Sequence, residues 1–425
     1  MRTPRLAVLL FLVCACPGDT AATSIVTGES TGMEGSSGTS GTGASGATSE
    51  TGDPTQVPTG TSDTGAGSTG GSSTGGMPPG DCLPTIPGPV DCGEVPEACG
   101  GATPIAGGPG LFVSGSAVSG EHVWFLAAYD SCPTAFYRAP TGGGAAQWVR
   151  ELGLMVDYAG DDDAVYFVEQ TGDPYTMQLS AWVDGVETVL GETHGDPRFN
   201  TYFATYLTRT RAGVVTYDSG GPMDPPFALL TPTAMTVVGH EGDEAYLGSE
   251  PAYDGQRLVY SLSDPKFDDE EGHVSVDRTL VARMDGASVV LAENASARGE
   301  PTVVVDEQHV YFATGSPSEQ SMGISRVAKS GGAATPLFVS ADLAILKLLV
   351  DDTHVYYYEG QRDIYAVEKS GGAPRHVWHG GAEVVSRRIQ QDAESLYVSV
   401  SAAGGDVPLP GREFVVRVAK DSEVP

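Results

Sequence analysis

The stretch HVWH, residues 376–379, sets two imidazoles three positions apart, a pairing that invites a search for a metal. On a strand, alternation puts His376 and His379 on opposite faces, so the expectation is two surface histidines that share no ion. His122, His309 and His354 each stand one residue before a valine in similar phrases, a slot that predicts turn geometry or packing between repeats. DDDA (Asp161 to Ala164) and FDDEEGH (Phe267 to His273) are hard-oxygen clusters, but calcium needs six to eight oxygens from a defined loop. Neither matches the spacing of an EF-hand, and both read as solvated acidic turns. GSSTG from Gly71 fits the G-x-S-x-G pattern of a nucleophile elbow without the strand and helix that pattern requires. There is no H-E-x-x-H, no G-x-G-x-x-G opening a helix, and no Ser/His/Asp set that spacing selects. The expectation is no catalytic residue, no metal and no cofactor.

Cys82, Cys92, Cys99 and Cys132 lie near the N-terminal edge of the remaining sequence. In an exported chain four such cysteines predict two disulfides, with three connectivities open. Zinc would favour closer pairs and a reducing compartment. Export is written at the start: Arg2 and Arg5 precede LAVLLFLV, an apolar run too short to span a bilayer, as in a secretory signal. VCAC (Val13 to Cys16) resembles a bacterial lipobox, departing from it at Cys14. The resemblance implies a signal peptide over residues 1–15 and a diacylglyceryl thioether on Cys16. Pro17 stands where an Asp would signal inner-membrane retention in a Gram-negative host, which points to the outer membrane or the cell surface.

Residues 16–80 read as a linker. From Pro17 to Gly80, 42 of 64 residues are Gly, Ser or Thr and none is Lys or Arg, so the segment lacks the apolar surface to offset ordering entropy. As a flexible coil its ends would stand roughly 45 Å apart. The whole chain carries 23 Lys+Arg against 55 Asp+Glu, a net charge of −32. That balance excludes the basic footprint of a nucleic-acid binder and disfavours anionic lipid surfaces. The membrane contact expected is the N-terminal lipid alone.

Residues 81–425 are organised by repetition. VAKSGGAATPLF begins at Val327 and VEKSGGAPRHVW at Val367. Upstream of them stand VDEQHVYFATG and VDDTHVYYYEG, and three further copies with two looser ones bring the total to seven units. Their aligned positions are Val123, Val165, Val214, Leu258, Val310, Val355 and Leu396, about 40 to 50 residues apart. Each unit alternates at period two and is rich in Val, Tyr and Phe between turn residues, which is strand grammar. A period of this length with roughly four strands per unit predicts a β-propeller, seven-bladed, with six or eight blades as alternatives. KSGG is then the hairpin turn between third and fourth strands, its glycines supplying positive φ. Lys329 and Lys369 before it are expected on the solvated side. A phosphate loop is ruled out, since that motif runs Gly before Lys and opens a helix. The seventh unit ends at FVVRVAKDSEVP with no fourth strand, so residues between about 95 and 110 should supply it.

In its D-x-x-x-VY(F/Y) … I-x-x-V-x-K-x-GG texture the segment from about 111 to 420 resembles TolB-like and YWTD-like propellers. That resemblance implies architecture only, because such folds host binding, scaffolding, hydrolysis and lyase chemistry alike. The function expected is non-enzymatic binding of a protein or glycan at an end face, by a monomer. A hydrolase or lyase with its site in the central channel is the alternative.

Overall fold

The computed structural model describes residues 85–86, 99–107, 111–129, 132–171, 176–194, 204–219, 226–240, 246–247, 250–267, 274–284, 287–293, 303–316, 321–340, 345–359, 363–380, 384–404 and 407–424. The signal, Cys16, the linker, Cys82 and Cys92 lie outside them.

The strands sort into seven antiparallel sheets. In chain order they cover 111–151, 154–194, 204–240, 246–293, 303–340, 345–379 and 384–419, blades 1 to 7 below. Blade 6 shows the plan: Ile345–Val350, His354–Glu359, Asp363–Glu368 and Arg375–His379 pair in succession as a meander. Blade 1 adds a short fifth strand, Thr85–Ile86, on its outer edge. The aligned valines and leucines all fall at the first or second position of a second strand, and all seven are 0–1% exposed.

A lone four-stranded meander buries little, so each blade must use both faces. Successive side chains point to opposite faces of a strand. In HVYYY, Val355 and Tyr357 join the core shared with blade 5, while Tyr356 and Tyr358 join the core shared with blade 7. Seven such cores exist among the described residues. Each lies between consecutive blades, and the seventh joins blade 7 to blade 1. A closed ring of this kind is a β-propeller. It also explains why second strands such as Val165–Gln170 and His354–Glu359 carry apolar residues on both faces, departing from the expected alternation.

The ring closes as the missing seventh outer strand requires. Thr103–Gly107 pairs antiparallel with Val407–Ala419 and completes blade 7 from the N-terminal side. Ile105 is fully buried in the closing core beside Tyr397 and Val415. Gly107 has φ +135°, and a Cβ there would lie 2.5 Å from the Glu413 carbonyl oxygen, so only glycine fits.

The turns repeat one device. Asp254, Asp306, Asp351 and Asp392 each accept, on one carboxylate oxygen, the N–H groups two and three residues on at 2.7–2.8 Å. The other oxygen of Asp306, Asp351 and Asp392 accepts the hydroxyl of the tyrosine five residues on, at 2.7–2.8 Å. A lysine from the following blade then binds the same carboxylate: Lys329 to Asp254, Lys369 to Asp306 at 2.9 Å and Lys420 to Asp351 at 3.4 Å. The expectation that Lys329 and Lys369 face solvent is therefore corrected. Their side chains are only 11% and 17% exposed, because the turn that follows bends each onto its neighbour's carboxylate. KSGG itself is the expected turn, with φ between +86° and +144° at Gly331, Gly332, Gly371 and Gly372.

Candidate functional site

The strands of every blade run alternately up and down, so the ring has two distinct ends. One end carries the turns between first and second strands and the KSGG turns. The opposite end carries the hairpins between second and third strands and the crossings to the next blade. Three places follow from this frame: the axis, the hairpin end and the outer rim.

At the axis, side chains of the innermost strands reach across the ring. Arg209 of blade 3 donates to the Val118 carbonyl of blade 1 at 3.3 Å, to the Gln391 carbonyl of blade 7 at 3.4 Å and to Asp162 of blade 2 at 2.8 Å. Glu250 accepts from Thr208 at 3.0 Å and pairs with Lys347 of blade 6. Asp157, 4% exposed, accepts the Leu207 N–H of the neighbouring inner strand at 2.8 Å. These charges brace blades against one another, and of them sequence reading singled out Asp162 alone, within DDDA, because no spacing rule links residues that meet across a ring.

The carboxylates and phenols with strongly shifted titration belong to the turns. Burial disfavours ionisation of Asp351, but the His354 and Thr353 N–H groups, the Tyr356 hydroxyl and Lys420 outweigh it and hold the carboxyl at about 2. Asp254 and Asp306 are lowered in the same way, burial being overcome by lysine and N–H donors. Burial and the partner carboxylate push the phenols of Tyr311, Tyr356 and Tyr397 up. Perturbed groups often mark catalysis, but these are fixed in structural contacts.

The three slot histidines serve the turns. His122, His309 and His354 each tilt against the aromatic ring two residues on, with centroids 6.0–6.3 Å apart. His354 Nδ1 also meets Thr353 Oγ1 at 2.7 Å. In DDDA, Asp161 closes its own turn by accepting the N–H groups of Asp163 and Ala164, whereas the Asp162 side chain is 91% exposed. Residues 268–273 of FDDEEGH lie outside the described residues.

HVWH departs from expectation. His376 Nε2 lies 2.9 Å and His379 Nδ1 2.6 Å from one oxygen, Asp363 Oδ1. The reason is a β-bulge. Ile364 pairs with Trp378 and Tyr365 with His376, which leaves Val377 as an extra residue. Two residues then oppose one, so the pair three apart behaves as a pair two apart and shares a face. The same shift recurs between the outer two strands of all seven blades. The extra residues are Val149, Leu190, Val238, Leu291, Leu337, Val377 and Ile105, aliphatic every time. Asp363 opens its strand and His379 ends the next, so the cluster sits at the hairpin end of the ring. Among the described residues it is the one group of three side chains that could hold a metal ion, with all ligand atoms within 4.8 Å of one another.

The outer rim carries the exposed aliphatic residues. Val186 and Val189 in blade 2, Met235 and Val237 in blade 3, Val289 and Val290 in blade 4 and Val339 in blade 5 are 39–66% exposed, all on fourth strands. A Cβ on Gly191 would lie 3.5 Å from the Met235 terminal methyl, so the fourth strands of blades 2 and 3 approach each other at that point.

No protein-family model matches the chain. No curated protein sequence matches it. Solved structures share its fold. The β-propeller domain of the Trilobed protease from Pyrococcus furiosus, described as having an open velcro topology, superimposes with a TM-score of 0.52 at 9% identity, over 74% of this chain and 99% of that one. A prolyl endopeptidase gives 0.48 at 12% identity over 74% of this chain, which spans half of the endopeptidase's length. BamB from Moraxella catarrhalis gives 0.41 at 11% identity, over 76% and 93% of the two chains. At 9% identity the likeness to the Trilobed protease propeller is one of fold.

Proposed function

We propose that this chain is an exported lipoprotein, anchored in the cell envelope through Cys16, whose propeller holds a protein partner on its outer rim without transforming it. The observation that carries the binding reading is the row of aliphatic side chains exposed on the fourth strands of four consecutive blades. Exposed apolar side chains gathered on one rim mark association sites, and valine offers a sugar neither hydrogen bonds nor an aromatic face, which favours protein over glycan. The exposed residues lie on the rim, whereas the sequence led to the expectation of a partner at an end face. Against catalysis stands the engagement of the axial charges with one another. The anchor rests on the basic, apolar, VCAC order of the first sixteen residues. Cys99 and Cys132, both disulfide-bonded, fit an oxidising compartment.

Two measurements test the reading. The wild-type chain should partition into the detergent phase of a host extract, and Cys16→Ser should move it to the aqueous phase. A wild type recovered from the aqueous phase with an N-terminus beyond residue 16 refutes the anchor. For the rim, Val189→Glu, Val237→Glu and Val290→Glu combined should weaken capture of the partner from surface extract at least about tenfold, as expected when central apolar contacts are charged. Capture that survives the triple change rejects the rim, and turnover in a hydrolase or lyase screen rejects the non-enzymatic reading.

A further inference from the structure

We infer that Asp363, His376 and His379 form a binding site for a divalent first-row transition metal ion of the zinc type. Two imidazoles with one carboxylate suit such ions, whereas calcium and magnesium prefer oxygen donors alone. The three donors already converge: Asp363 Oδ1 lies 2.9 Å from His376 Nε2 and 2.6 Å from His379 Nδ1. Bonds of about 2.0–2.2 Å to a shared ion require only that these atoms part slightly around it. Three protein ligands leave a coordination position open, and the His379 side chain, 49% exposed, places that position toward solvent.

The strand that bears both histidines is clamped on each side, which keeps the donors in place. The C-terminal tail grips it through Val424 N–H to the His376 carbonyl at 3.0 Å, Ser422 Oγ to the Val377 carbonyl at 2.8 Å, and Arg375 to the Lys420 carbonyl at 2.7 Å. From the N-terminal side, Trp378 Nε1 donates to the Cys99 carbonyl at 3.0 Å. Gly100 lies so close that a Cβ would fall 2.0 Å from the His379 carbonyl oxygen. The His376 ring stacks on Tyr365, centroids 4.7 Å apart, which fixes the direction of its Nε2. A bulge that only relieved strand twist would need none of this. The repeated aliphatic bulge residue explains why Val377 turns inward, but not why polar donors flank it in blade 6.

The test uses the full chain, purified without a polyhistidine tag and stripped with chelator. Calorimetric titration with zinc chloride should show one saturable site. His379→Ala and Asp363→Asn should each weaken it by at least about tenfold, as loss of a ligand or its partner does, and His354→Ala should leave it unchanged. Cobalt(II) should give a visible d–d absorption that disappears in the same two variants. His379 is half exposed, so its alanine variant should keep the metal-free melting temperature and decides the matter if Asp363→Asn fails to fold. No saturable site, binding undiminished in His379→Ala, or equal loss in His354→Ala overturns the proposal.

Discussion

Deletion of residues 99–107 is expected to abolish cooperative unfolding of the whole ring, the largest effect of any short change in this chain. Thr103–Gly107 is the outer strand of blade 7, and without it the strand Val407–Ala419 becomes an unpaired edge. The loss is not local. Ile105 and Ala106 belong to the core that joins blade 7 to blade 1, and Trp378 of blade 6 loses its acceptor at Cys99. Each blade buries both faces, so opening one interface exposes a face on two blades and frees both to splay. Across the same seam Glu413 accepts the Val113 N–H at 2.7 Å, a buried hydrogen bond that cannot replace the lost strand. Urea unfolding followed by circular dichroism and by tryptophan fluorescence reports the outcome. The two curves should coincide for the wild type and separate for the deletion. Ile105→Ala is the graded control: it should cost about 2–5 kcal/mol, the range for truncating a buried aliphatic, while the curves still coincide. A deletion that unfolds at the wild-type midpoint would mean that the N-terminal strand is an ornament.

This seam was legible in the sequence because a deficit can be counted. Six units carry a run after their third strand and the seventh does not, and an unpaired central edge is a cost that chains avoid. The unit positions were legible too, since Val310, Val355 and their equivalents are the residues that both neighbours must bury. Period-two reasoning failed where its premise failed. It assumes a regular pairing register, and the outer strands of this ring are bulged. The signal existed in RHVWH, where polar–polar–apolar–apolar–polar does not alternate, and in TPLFVS, where Leu337 and Phe338 stand side by side. Aligning the fourth strands of all the blades, rather than the second, would have exposed the recurring extra aliphatic residue. Asp363 could not be found at all by local spacing, because it belongs to the neighbouring strand. Arg209 and Glu250 lay equally beyond reach, since their partners are other inner strands that meet only once the ring is closed.

The lysines show a third kind of failure, and the second large effect follows from it. A charged residue beside a Gly-Gly turn ordinarily faces water, but Lys369 and Asp306 are 17% and 14% exposed and lie 2.9 Å apart. Breaking a buried pair by removing one partner leaves the other charge without compensation, which typically costs about 3–5 kcal/mol. Asp306→Asn should fall in this range, because the amide cannot pair with the ammonium and cannot fully replace an oxygen that accepts the Tyr311 hydroxyl. Lys369→Met is the sharper comparison. A solvated lysine would be worth less than about 0.5 kcal/mol, whereas the lock predicts a clear loss, made smaller than that of Asp306→Asn by the methionine's own packing on Tyr311. The pH dependence carries the same signature. Asp351 is held at about 2, and Asp254 and Asp306 are also below the ordinary range of about 3.9 for an unfolded aspartate. A carboxyl lowered by folding adds stability that is fully present above the unfolded value and is lost as pH falls through the folded one. Wild-type stability should therefore be steady from neutrality to about pH 4 and drop between there and about pH 2. Asp306→Asn, having already lost one of the three, should start lower and fall less steeply. Urea midpoints at pH 7, 4 and 2.5 separate the cases, and parallel acid profiles for the wild type and the variant would place the acid sensitivity elsewhere than in the blade-to-blade carboxylates.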